Sequence, residues 1–485
     1  MSGKALLGST VSLLLAGCVV GPNYQAPRAS APVKWTTPLG AGETDAPLAL
    51  ADWWRSFNDA DLDRLETAAV ESNLTLRAAE QHVREARAER DFVAGGRWPS
   101  AGTTVAYSNN DYGANNFPPL PPGTPITFNL YSVGFDAAWE LDLFGGVHRA
   151  VEASNAQLGA AQYARRDVLI SVLAEVARSY IEARGYQERL KITRRNISAQ
   201  ADIVELTRSR YRSGLSTDLD VEQATALLTA TQAQLPALES GYAQSVHELS
   251  VLVGAQPGAL IERMSRVQPI PLTPPVIPVG LPAELLRRRP DVERAERELA
   301  AATAEIGVAR ADLFPKFSLT GGVGLVSISE SRWLEYASRY WAAGPGIEWN
   351  LLEGGRLRAN VRVQQARAAQ AFDSYRQTVL TALEDAEDAL VGYAKEQSRR
   401  QSLAQSERAS AAALHLATEL YRSGLTDFLT VLDSERTLYG AQDALVESTR
   451  AASLDLVQLY KALGGGWEQQ PAPSATAVRQ MSSGP

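Results

Sequence analysis

Cysteine is almost missing from this sequence of 485 residues, and Cys18 is the only one. A single thiol excludes an intrachain disulfide. The four histidines are scattered, and no cluster of histidine, cysteine and carboxylate residues has the spacing of metal ligands. No nucleophile motif such as Gly-X-Ser-X-Gly is present. We therefore expect no metal, no cofactor and no catalytic site.

Long apolar stretches and an excess of positive charge are missing as well. The body of the chain has no apolar run of about 18 residues or more, so we expect no transmembrane helix there. The formal net charge is -8, which argues against a nucleic-acid-binding protein. Aromatic residues make up only 7% of the chain while alanine is abundant, and this composition favours long helices.

Proline is absent from two long windows. None of the 25 prolines lies in residues 127–234 or 347–469. Because proline breaks the interior of a helix, long helices can form in these windows. We predict helices at about 144–212 and about 353–422. Helices of this length are typical of coiled coils and helical repeats.

The pentapeptide YRSGL occurs twice, at residues 211–215 and 421–425, and the sequences around the two copies also match. Upstream, the segment that ends at Pro99 resembles the segment that ends at Pro315. The distance between matching segments drifts between 209 and 216 residues, as small loop insertions would produce. This similarity indicates internal duplication, so the two halves should fold alike.

Each YRSGL copy is predicted to be the tip of a long αα-hairpin. Gly214 and Gly424 suit the left-handed position that closes a helix. The returning helices should run to about residues 252 and 463. The candidate caps of these helices are Ser216 or Thr217 in the first copy, and Thr426 or Asp427 in the second.

A segment with a different period precedes each long helix. Residues 131–143 and 341–351 alternate between apolar and small or polar side chains, as do the residues after Lys316, and 103–107 do so more weakly. The long segments approach the roughly 9–11 residues that a tilted strand needs to cross a bilayer. A soluble β-sandwich would also alternate, but it would not explain two hairpins that each feed a helix of about 70 residues. Three residues suit aromatic girdles: Trp139, Trp341 and Trp349.

Four such strands are too few to close a barrel, and lipid does not tolerate open sheet edges. Several chains must therefore share one barrel. Two chains would supply about 8 strands and a filled interior, whereas three would supply about 12 and a lumen. The small and acidic residues on the inner face favour three chains. The predicted fold is an internally duplicated α+β membrane protein, with a β-barrel shared between chains and long coiled-coil hairpins.

The N-terminus has the pattern of a secretory signal, with Lys4 before a short apolar core. The Leu-Ala-Gly that precedes Cys18 looks like a bacterial lipobox. Cleavage would then leave Cys18 as the first residue, carrying an N-palmitoyl group and an S-diacylglycerol. Two or more acyl chains anchor a protein stably, and Val19 in place of Asp suggests export to the outer membrane. The alternative is an ordinary signal peptide with an incidental cysteine.

Several further motifs resemble one family. They are "GPNYQAP", "WWRSFNDADLDRLE", "RRRPDVERAERELAAATAEIGVARADLFPKFSL" and "YRSGLTDFLTVLDSERTLYGAQ". Together with the lipobox, over residues 18–465, they resemble TolC-like outer-membrane efflux proteins of the NodT/OprM-type lipoprotein branch. The resemblance implies a homotrimer with a 12-stranded barrel and a long periplasmic α-barrel. It also implies an outer-membrane exit duct that docks to a periplasmic adaptor protein and an inner-membrane pump, often of the resistance-nodulation-division class.

The resemblance also implies a gate at the periplasmic end, where the tips of the second hairpins converge. Leu429 would form an apolar ring and Asp433 an acidic ring, since residues four apart share one helix face. Tyr421 and Arg436 would make inter-helix hydrogen bonds and salt bridges, with Asp220 of the first hairpin as a partner. Alternatively, Asp433 and Arg436 form an ordinary exposed pair on the helix surface.

One position departs from the family pattern. Members often carry arginine before the tyrosine of the second tip, but this chain has Leu420. That substitution removes one donor from the expected closing network.

The sequence divides into six expected segments: a signal peptide (1–17), a lipidated extended segment (18–58), a first repeat (59–253), a Pro-rich equatorial linker (254–282), a second repeat (283–465) and a disordered tail (466–485). The leading functional hypothesis is a passive export duct. A structural or adaptor lipoprotein that bridges periplasmic components is the alternative, and an outer-membrane barrel enzyme is the least favoured.

Overall fold

The structure is a computed structural model, and it describes residues 19–28, 31–40, 42–44, 46, 50–111, 121 and 127–468. The predicted signal peptide, Cys18 and residues 469–485 lie outside the described residues. The chain divides into two compact units. The first comprises Met1–Pro27, Val83–Ala161 and Ala295–Tyr375, and the second Arg28–His82, Gln162–Arg294 and Arg376–Pro485.

The described residues form ten α-helices. In chain order they are α1 (Ala60–Ser72), α2 (Leu74–Gly95), α3 (Gly146–Arg212), α4 (Asp218–Gln232), α5 (Leu235–Leu252), α6 (Ile261–Met264), α7 (Pro282–Arg288), α8 (Pro290–Ala311), α9 (Arg356–Arg422) and α10 (Phe428–Ala462). None of the helices in the described ranges is both long and apolar enough to span a bilayer.

The described strands are β1 (Glu43–Thr44), β2 (Ser100–Asp111), β3 (Thr127–Leu141), β4 (Ile277–Pro278), β5 (Lys316–Ser327) and β6 (Arg339–Glu348). The order of elements confirms the internal duplication. Each half contains a helix of 22 residues, a strand of 12 residues and a helix of 67 residues, in the same order. The first set is α2, β2 and α3, and the second is α8, β5 and α9.

Proline placement predicts the two long helices to within three residues, but the first returning helix differs from the prediction. That helix is broken at Ala233 and Gln234 into α4 and α5, and Pro236 lies in the first turn of α5. Proline lacks the backbone N–H that an uninterrupted helix would need at this point. The second returning helix, α10, has no proline and runs unbroken for 35 residues.

The first unit contains an antiparallel sheet with strand order β2-β3-β5-β6. Across the sheet, Phe135 pairs with Thr103 and Val323, and Val323 pairs with Trp341. Phe135, Val323 and Trp341 are all more than half exposed, so the sheet presents an exposed apolar face, as the alternating sequence predicts. A face of this kind suits lipid rather than water.

The opposite face of the sheet carries small and polar residues. In one row, Gly134 pairs with Gly324, and Gly324 pairs with Tyr340. The Tyr340 side chain covers both glycines, because a Cβ on Gly134 would lie 2.5 Å from its hydroxyl and a Cβ on Gly324 would lie 2.8 Å from its ring. Pro345 is accommodated in β6, which has one neighbouring strand among the residues that the structure describes.

Two tryptophans fix the ends of the strands in the same way. The Trp139 indole N–H donates to the Arg97 carbonyl at 3.0 Å. The Trp349 indole N–H donates to the Leu313 carbonyl at 3.2 Å. Arg97 and Leu313 each lie two residues before a proline that precedes a strand, so this contact repeats with the duplication.

The chain that follows Cys18 is held by a buried arginine of α3. We call residues 19–24 the N-terminal clasp. Arg149, 3% exposed, donates to the Val20 carbonyl at 3.2 Å and to the Asn23 side-chain oxygen at 2.7 Å. Within the clasp, Gly21 packs so tightly that an added Cβ would lie 2.5 Å from the Gly307 Cα. The groove that holds the clasp therefore leaves no room for a side chain at position 21.

The second unit has one large apolar core. Trp53 stacks on Tyr460 of α10 with ring centroids 5.2 Å apart, and Leu50, Leu62 and Leu173 are buried in the same cluster. The N-terminal segment is fixed to this unit where Glu387 accepts the backbone N–H groups of Thr36 and Thr37. Trp467 donates to the Arg288 carbonyl at 3.2 Å, so ordered packing continues past residue 465.

The RRRP segment places one largely buried arginine, Arg289, directly before α8, which begins at Pro290. Its guanidinium pairs with Asp291 at 2.6 Å and with Asp385 at 2.9 Å, and it donates to the Ala462 carbonyl near the end of α10. Because the last carbonyls of a helix lack intrahelical partners, Arg289 caps α10.

Candidate functional site at the hairpin tips

Both hairpins close with the same turn. In the first, the Leu215 N–H donates to the Arg210 carbonyl at 2.8 Å, and in the second the Leu425 N–H donates to the Leu420 carbonyl at 2.8 Å. Gly214 and Gly424 adopt φ of 71° and 72°. These bonds and angles define a Schellman motif, which needs a residue in the left-handed region and so favours glycine.

The turn of the first hairpin leads into a capping box. Thr217 is the N-cap of α4, and the Asp220 carboxylate accepts the Thr217 backbone N–H at 3.0 Å and the Ser216 hydroxyl at 2.7 Å. Burial disfavours the charged form, but these hydrogen bonds outweigh it and lower the pKa of Asp220 below its usual range. Within the described chain, the Asp220 carboxylate thus bonds to its own turn rather than to Tyr421 or Arg436.

The second hairpin uses a different cap. Asp427 is the N-cap of α10, and its carboxylate accepts the Thr430 backbone N–H at 3.1 Å and the Thr430 hydroxyl at 2.7 Å. Of the two candidates in each copy, the structure selects Thr217 and Asp427.

Under the turns, the tips share one apolar cluster. It contains Val204, Ala224, Ala417, Tyr421, Phe428, Val431 and Leu432. The rings of Tyr421 and Phe428 lie 5.6 Å apart. Since these residues come from both hairpins, the cluster joins α3 and α4 to α9 and α10.

Tyr421, predicted as a gate residue, is 4% exposed and lies inside this cluster. Its hydroxyl is buried and has no hydrogen-bond partner among the residues that the structure describes. A bond from this hydroxyl to another protomer therefore requires the ring to rotate out of the cluster.

Arg210 of α3 is a tip residue that no sequence motif marks. Its guanidinium lies 4.6 Å from the centroid of the Tyr421 ring and also donates to the Arg422 carbonyl at 3.4 Å. A cation over an aromatic ring is attracted to its face. This chain has Leu420 instead of arginine directly before Tyr421. Arg210, which belongs to the other hairpin, supplies a guanidinium beside Tyr421 instead.

The other predicted gate residues lie on the outer side of α10. Leu429 is 60% exposed, and Asp433 and Arg436 are exposed. Asp433 and Arg436 form no salt bridge with each other or with any other described residue. The exposed surface pair that the sequence allowed is therefore not formed, and both charges are available to contacts outside the protomer.

A buried carboxyl group lies on the opposite side of the same helix. Glu435 is 2% exposed, and the Tyr439 hydroxyl donates to it at 3.5 Å. Burial raises the pKa of Glu435 to about 7. No sequence pattern marks this group, since a glutamate between Ser434 and Arg436 resembles part of a solvated helix face.

The second unit also has an open cleft of about 1170 Å³, lined by residues that lie away from the tips along the chain. Its charges are largely paired within the protein. Asp61 accepts from Arg64 and Arg184 at 3.4 Å each, and it lies 3.7 Å from Arg263. These pairs tie α1 and α3 to the segment after α5, which is a structural role. In the described ranges, no group of three or more histidine, cysteine or carboxylate residues could hold a metal ion.

Comparison with known proteins decides the family. The sequence profile of the outer membrane efflux protein family matches residues 66–255 and 281–465. The chain belongs to this family. The two matched segments correspond to the two halves of the duplication, so the family pattern is itself duplicated.

Relatives of the outer membrane efflux family match along almost the whole chain. Nodulation protein T of Rhizobium leguminosarum bv. viciae is 32% identical over 489 residues, covering 100% of this chain and 97% of the relative. The pyoverdine export outer membrane protein OpmQ of Pseudomonas aeruginosa is 32% identical, covering 96% of this chain and 98% of OpmQ. Among solved structures, the outer-membrane channel OprN matches with a TM-score of 0.87 and 37% identity, covering 93% of this chain and 100% of that chain.

These matches confirm the predicted family, fold class, outer-membrane location and exit-duct function. The protein is an outer-membrane efflux channel, built from a duplicated strand-and-hairpin unit. The family consists of channels rather than enzymes.

Proposed function

We propose that the protein is the passive, trimeric exit duct of a tripartite efflux system. The observation that carries this proposal is the sheet of the first unit, which has one exposed apolar face and four strands. Its two edge strands, β2 and β6, each pair with a single strand among the described residues. Lipid does not tolerate open edges, so β2 of one copy must pair with β6 of another. Three copies give about 12 strands and a lumen.

We further propose that the second hairpin tips close the periplasmic end of the duct. Leu429 and Asp433 are exposed on one face of α10, so three copies of each would surround a common axis. An apolar ring and a ring of carboxylates are arrangements that gate and select in pores. Arg436 and Asp220 are the proposed partners between neighbouring helices, and Tyr421 joins them when its ring leaves the tip cluster.

The remaining partners follow from the same assignment. We infer that the tips dock to a periplasmic adaptor and an inner-membrane pump of the resistance-nodulation-division class, which selects the cargo. The exposed apolar residues at the tips support such docking: Leu215, Leu219, Leu425 and Leu429. Cys18 is the proposed site of the N-palmitoyl and S-diacylglycerol groups. No catalysis is proposed.

Ion conductance across planar bilayers tests the gate. The wild-type protein should conduct weakly, and the double change Leu429→Ala with Asp433→Ala should raise the conductance several-fold because both rings are removed. Thr437→Ala, one turn along on the exposed side of α10, is the matched control and should leave the conductance unchanged. Absence of conductance in every variant would favour the adaptor hypothesis.

Two further measurements test the assembly and the anchor. Light scattering in detergent should give a protein mass of about three chains; a fully structured single chain would contradict the shared barrel. Mass spectrometry of the N-terminal peptide should show a diacylglyceryl-modified Cys18, and Cys18→Ser should abolish the modification. An unmodified mature N-terminus would reject the lipobox without affecting the duct.

A further inference from the structure

A pocket of about 350 Å³ lies beside the N-terminal clasp in the first unit. Four parts of the chain build it: the clasp, the turn before β2, α3 and α8. Its lining includes Tyr24, Arg97, His148, Glu152 and Arg297. Basic groups are thus concentrated in a small concave site.

The walls of this pocket are fixed by contacts to buried groups. The Tyr24 hydroxyl donates to the Glu296 carboxylate, and the Arg297 guanidinium lies 5.8 Å from the centroid of the Tyr24 ring. Buried Arg149 holds the clasp from below and donates to Glu152 at 2.6 Å. The pocket is therefore preformed and does not depend on flexible surface side chains alone.

The charges of the pocket leave an unbalanced cation. Glu152 is neutralised by Arg149 at 2.6 Å, and Glu296 is neutralised by Arg297, also at 2.6 Å. The Arg97 guanidinium forms no ion pair with a described residue. A pocket with one uncompensated guanidinium suits a ligand with a single negative charge.

The position of Arg97 indicates where that ligand comes from. Its carbonyl accepts the indole N–H of Trp139, which is on the apolar face of the sheet near the end of β3. Tryptophans at strand ends sit at the level of the lipid headgroups. The neighbouring Trp98 is 74% exposed, which extends the same interfacial belt. Arg97 thus lies at the depth of the phosphates in the leaflet that faces the periplasm.

We propose that this pocket binds the phosphodiester group of a membrane glycerophospholipid. The Arg97 guanidinium donates two hydrogen bonds to the phosphate oxygens, and the His148 ring N–H donates a third. The glycerol backbone lies against Ala156 and Ala300, which also line the pocket, and the acyl chains leave along Trp98. The proposal depends on the bilayer position of the sheet and not on the gate or on the lipidation of Cys18.

Thermal unfolding of the detergent-solubilised full-length protein tests this site. Short-chain phosphatidylglycerol should raise the unfolding midpoint in a saturable manner, whereas inorganic phosphate at equal ionic strength should not. In Arg97→Gln with His148→Gln, the apparent affinity for the lipid should fall about tenfold or more, because charge-assisted bonds are lost.

The duplication supplies the matched control. In the second copy Leu357 stands where the first has His148, and Leu313 replaces Arg97 at the equivalent turn. Arg358, exposed in the first turn of α9, is therefore a basic residue at the same level but outside the pocket. Arg358→Gln should leave the lipid affinity unchanged. An equal loss in this control, or an unchanged affinity in the double variant, would overturn the site. An equal stabilisation by inorganic phosphate would overturn the lipid assignment.

Conductance separates this proposal from the proposed function. The double variant should retain the conductance of the wild-type channel, since neither residue belongs to the gate. Loss of lipid affinity with normal conductance supports the site, and normal lipid affinity with normal conductance rejects the site while keeping the duct.

Discussion

Glu66 on α1 is a carboxyl group that the fold buries completely. It is 0% exposed, and neither oxygen has a hydrogen-bond partner among the described residues. Burial raises its pKa well above the usual value, and the nearby charge of Asp63 adds to the effect. At neutral pH the group is therefore a source of instability in the core of the second unit.

The change Glu66→Gln should raise the unfolding midpoint most at alkaline pH. The pKa of Glu66 is higher in the folded than in the unfolded protein. The free energy of unfolding of the wild type is therefore highest below the unfolded pKa, and it falls as the pH rises towards the folded pKa. Glutamine does not ionise, so the gap between the variant and the wild type should widen from pH 5 to pH 8. Thermal unfolding across this range measures it. Glu71→Gln, exposed on the same helix, is the control, and an equal effect there would contradict the explanation.

Glu435 predicts a second pH effect, near the tips. Its pKa of about 7 means that its contribution to stability is complete below about pH 4.5 and is lost as the pH rises through 7. Full ionisation of a group shifted this far costs about 3 kcal/mol. Hydrogen exchange of the amides of α10 next to the tip should therefore be faster at pH 8 than at pH 6, beyond the intrinsic rate change.

In Glu435→Gln, the additional acceleration of hydrogen exchange between pH 6 and pH 8 should vanish. Glu419→Gln, exposed on α9 and paired with Arg422, should behave like the wild type. If Glu435→Gln leaves the excess in place, the pH effect arises from another group.

Residues with a local role can be predicted from the sequence, whereas residues with long-range partners cannot. Gly214 and Gly424 are identifiable because a helix terminus needs a left-handed residue within a few positions. Arg210, Arg149 and Arg289 are not, since their partners come from distant parts of the chain and an arginine in an alanine-rich helix resembles a solvated one.

At the scale of elements, two glycines of strand β5, Gly324 and Gly321, differ in the space that they leave for a side chain. A Cβ on Gly324 would lie 2.3 Å from the Val133 carbonyl oxygen and 2.7 Å from the Gly134 Cα, whereas a Cβ on Gly321 would meet its nearest atom at 3.8 Å. Backbone atoms cannot move aside in a paired strand. The close approach at Gly324 also makes room for Tyr340.

We therefore expect Gly324→Ala to reduce the yield of folded protein in the outer membrane and Gly321→Ala to leave it near the wild-type level. A clash of backbone with Cβ typically costs about 1–3 kcal/mol. Quantification of heat-modifiable, folded protein in membrane fractions checks both. Equal yields from the two variants would show that the row at Gly324 tolerates a side chain.

Secondary structure follows the sequence closely where one constraint dominates. The windows without proline predict α3 and α9, and period-two alternation predicts β3 and β6. The break between α4 and α5 does not follow from these windows, because Pro236 lies just past the edge of one and also starts a helix. The alternation in β2 is weak because serines, threonines and asparagines dilute it, and pairing with β3 supplies what its own pattern lacks.

At the scale of the whole molecule, the number of strands sets the need for partner chains. A sheet of four strands leaves backbone hydrogen-bonding groups unpaired at both edges. Because lipid cannot bond these groups, strands from other chains are required. The groups that bring the hairpins together at the tips are not visible in the sequence, because the cluster around Tyr421 and Phe428 combines residues from both halves of the chain.

The equality of the two long helices has a consequence for changes in length. Each has 67 residues, or about 100 Å at 1.5 Å per residue, and both end in the same turn. Removal of one heptad from each arm of a single hairpin would leave its tip about 10 Å short of the other. Such a variant should leak ions across planar bilayers, whereas the same removal from both hairpins should restore a low conductance. The two hairpins must therefore keep equal lengths, and an insertion or deletion in one long helix can persist only when the other acquires the same change.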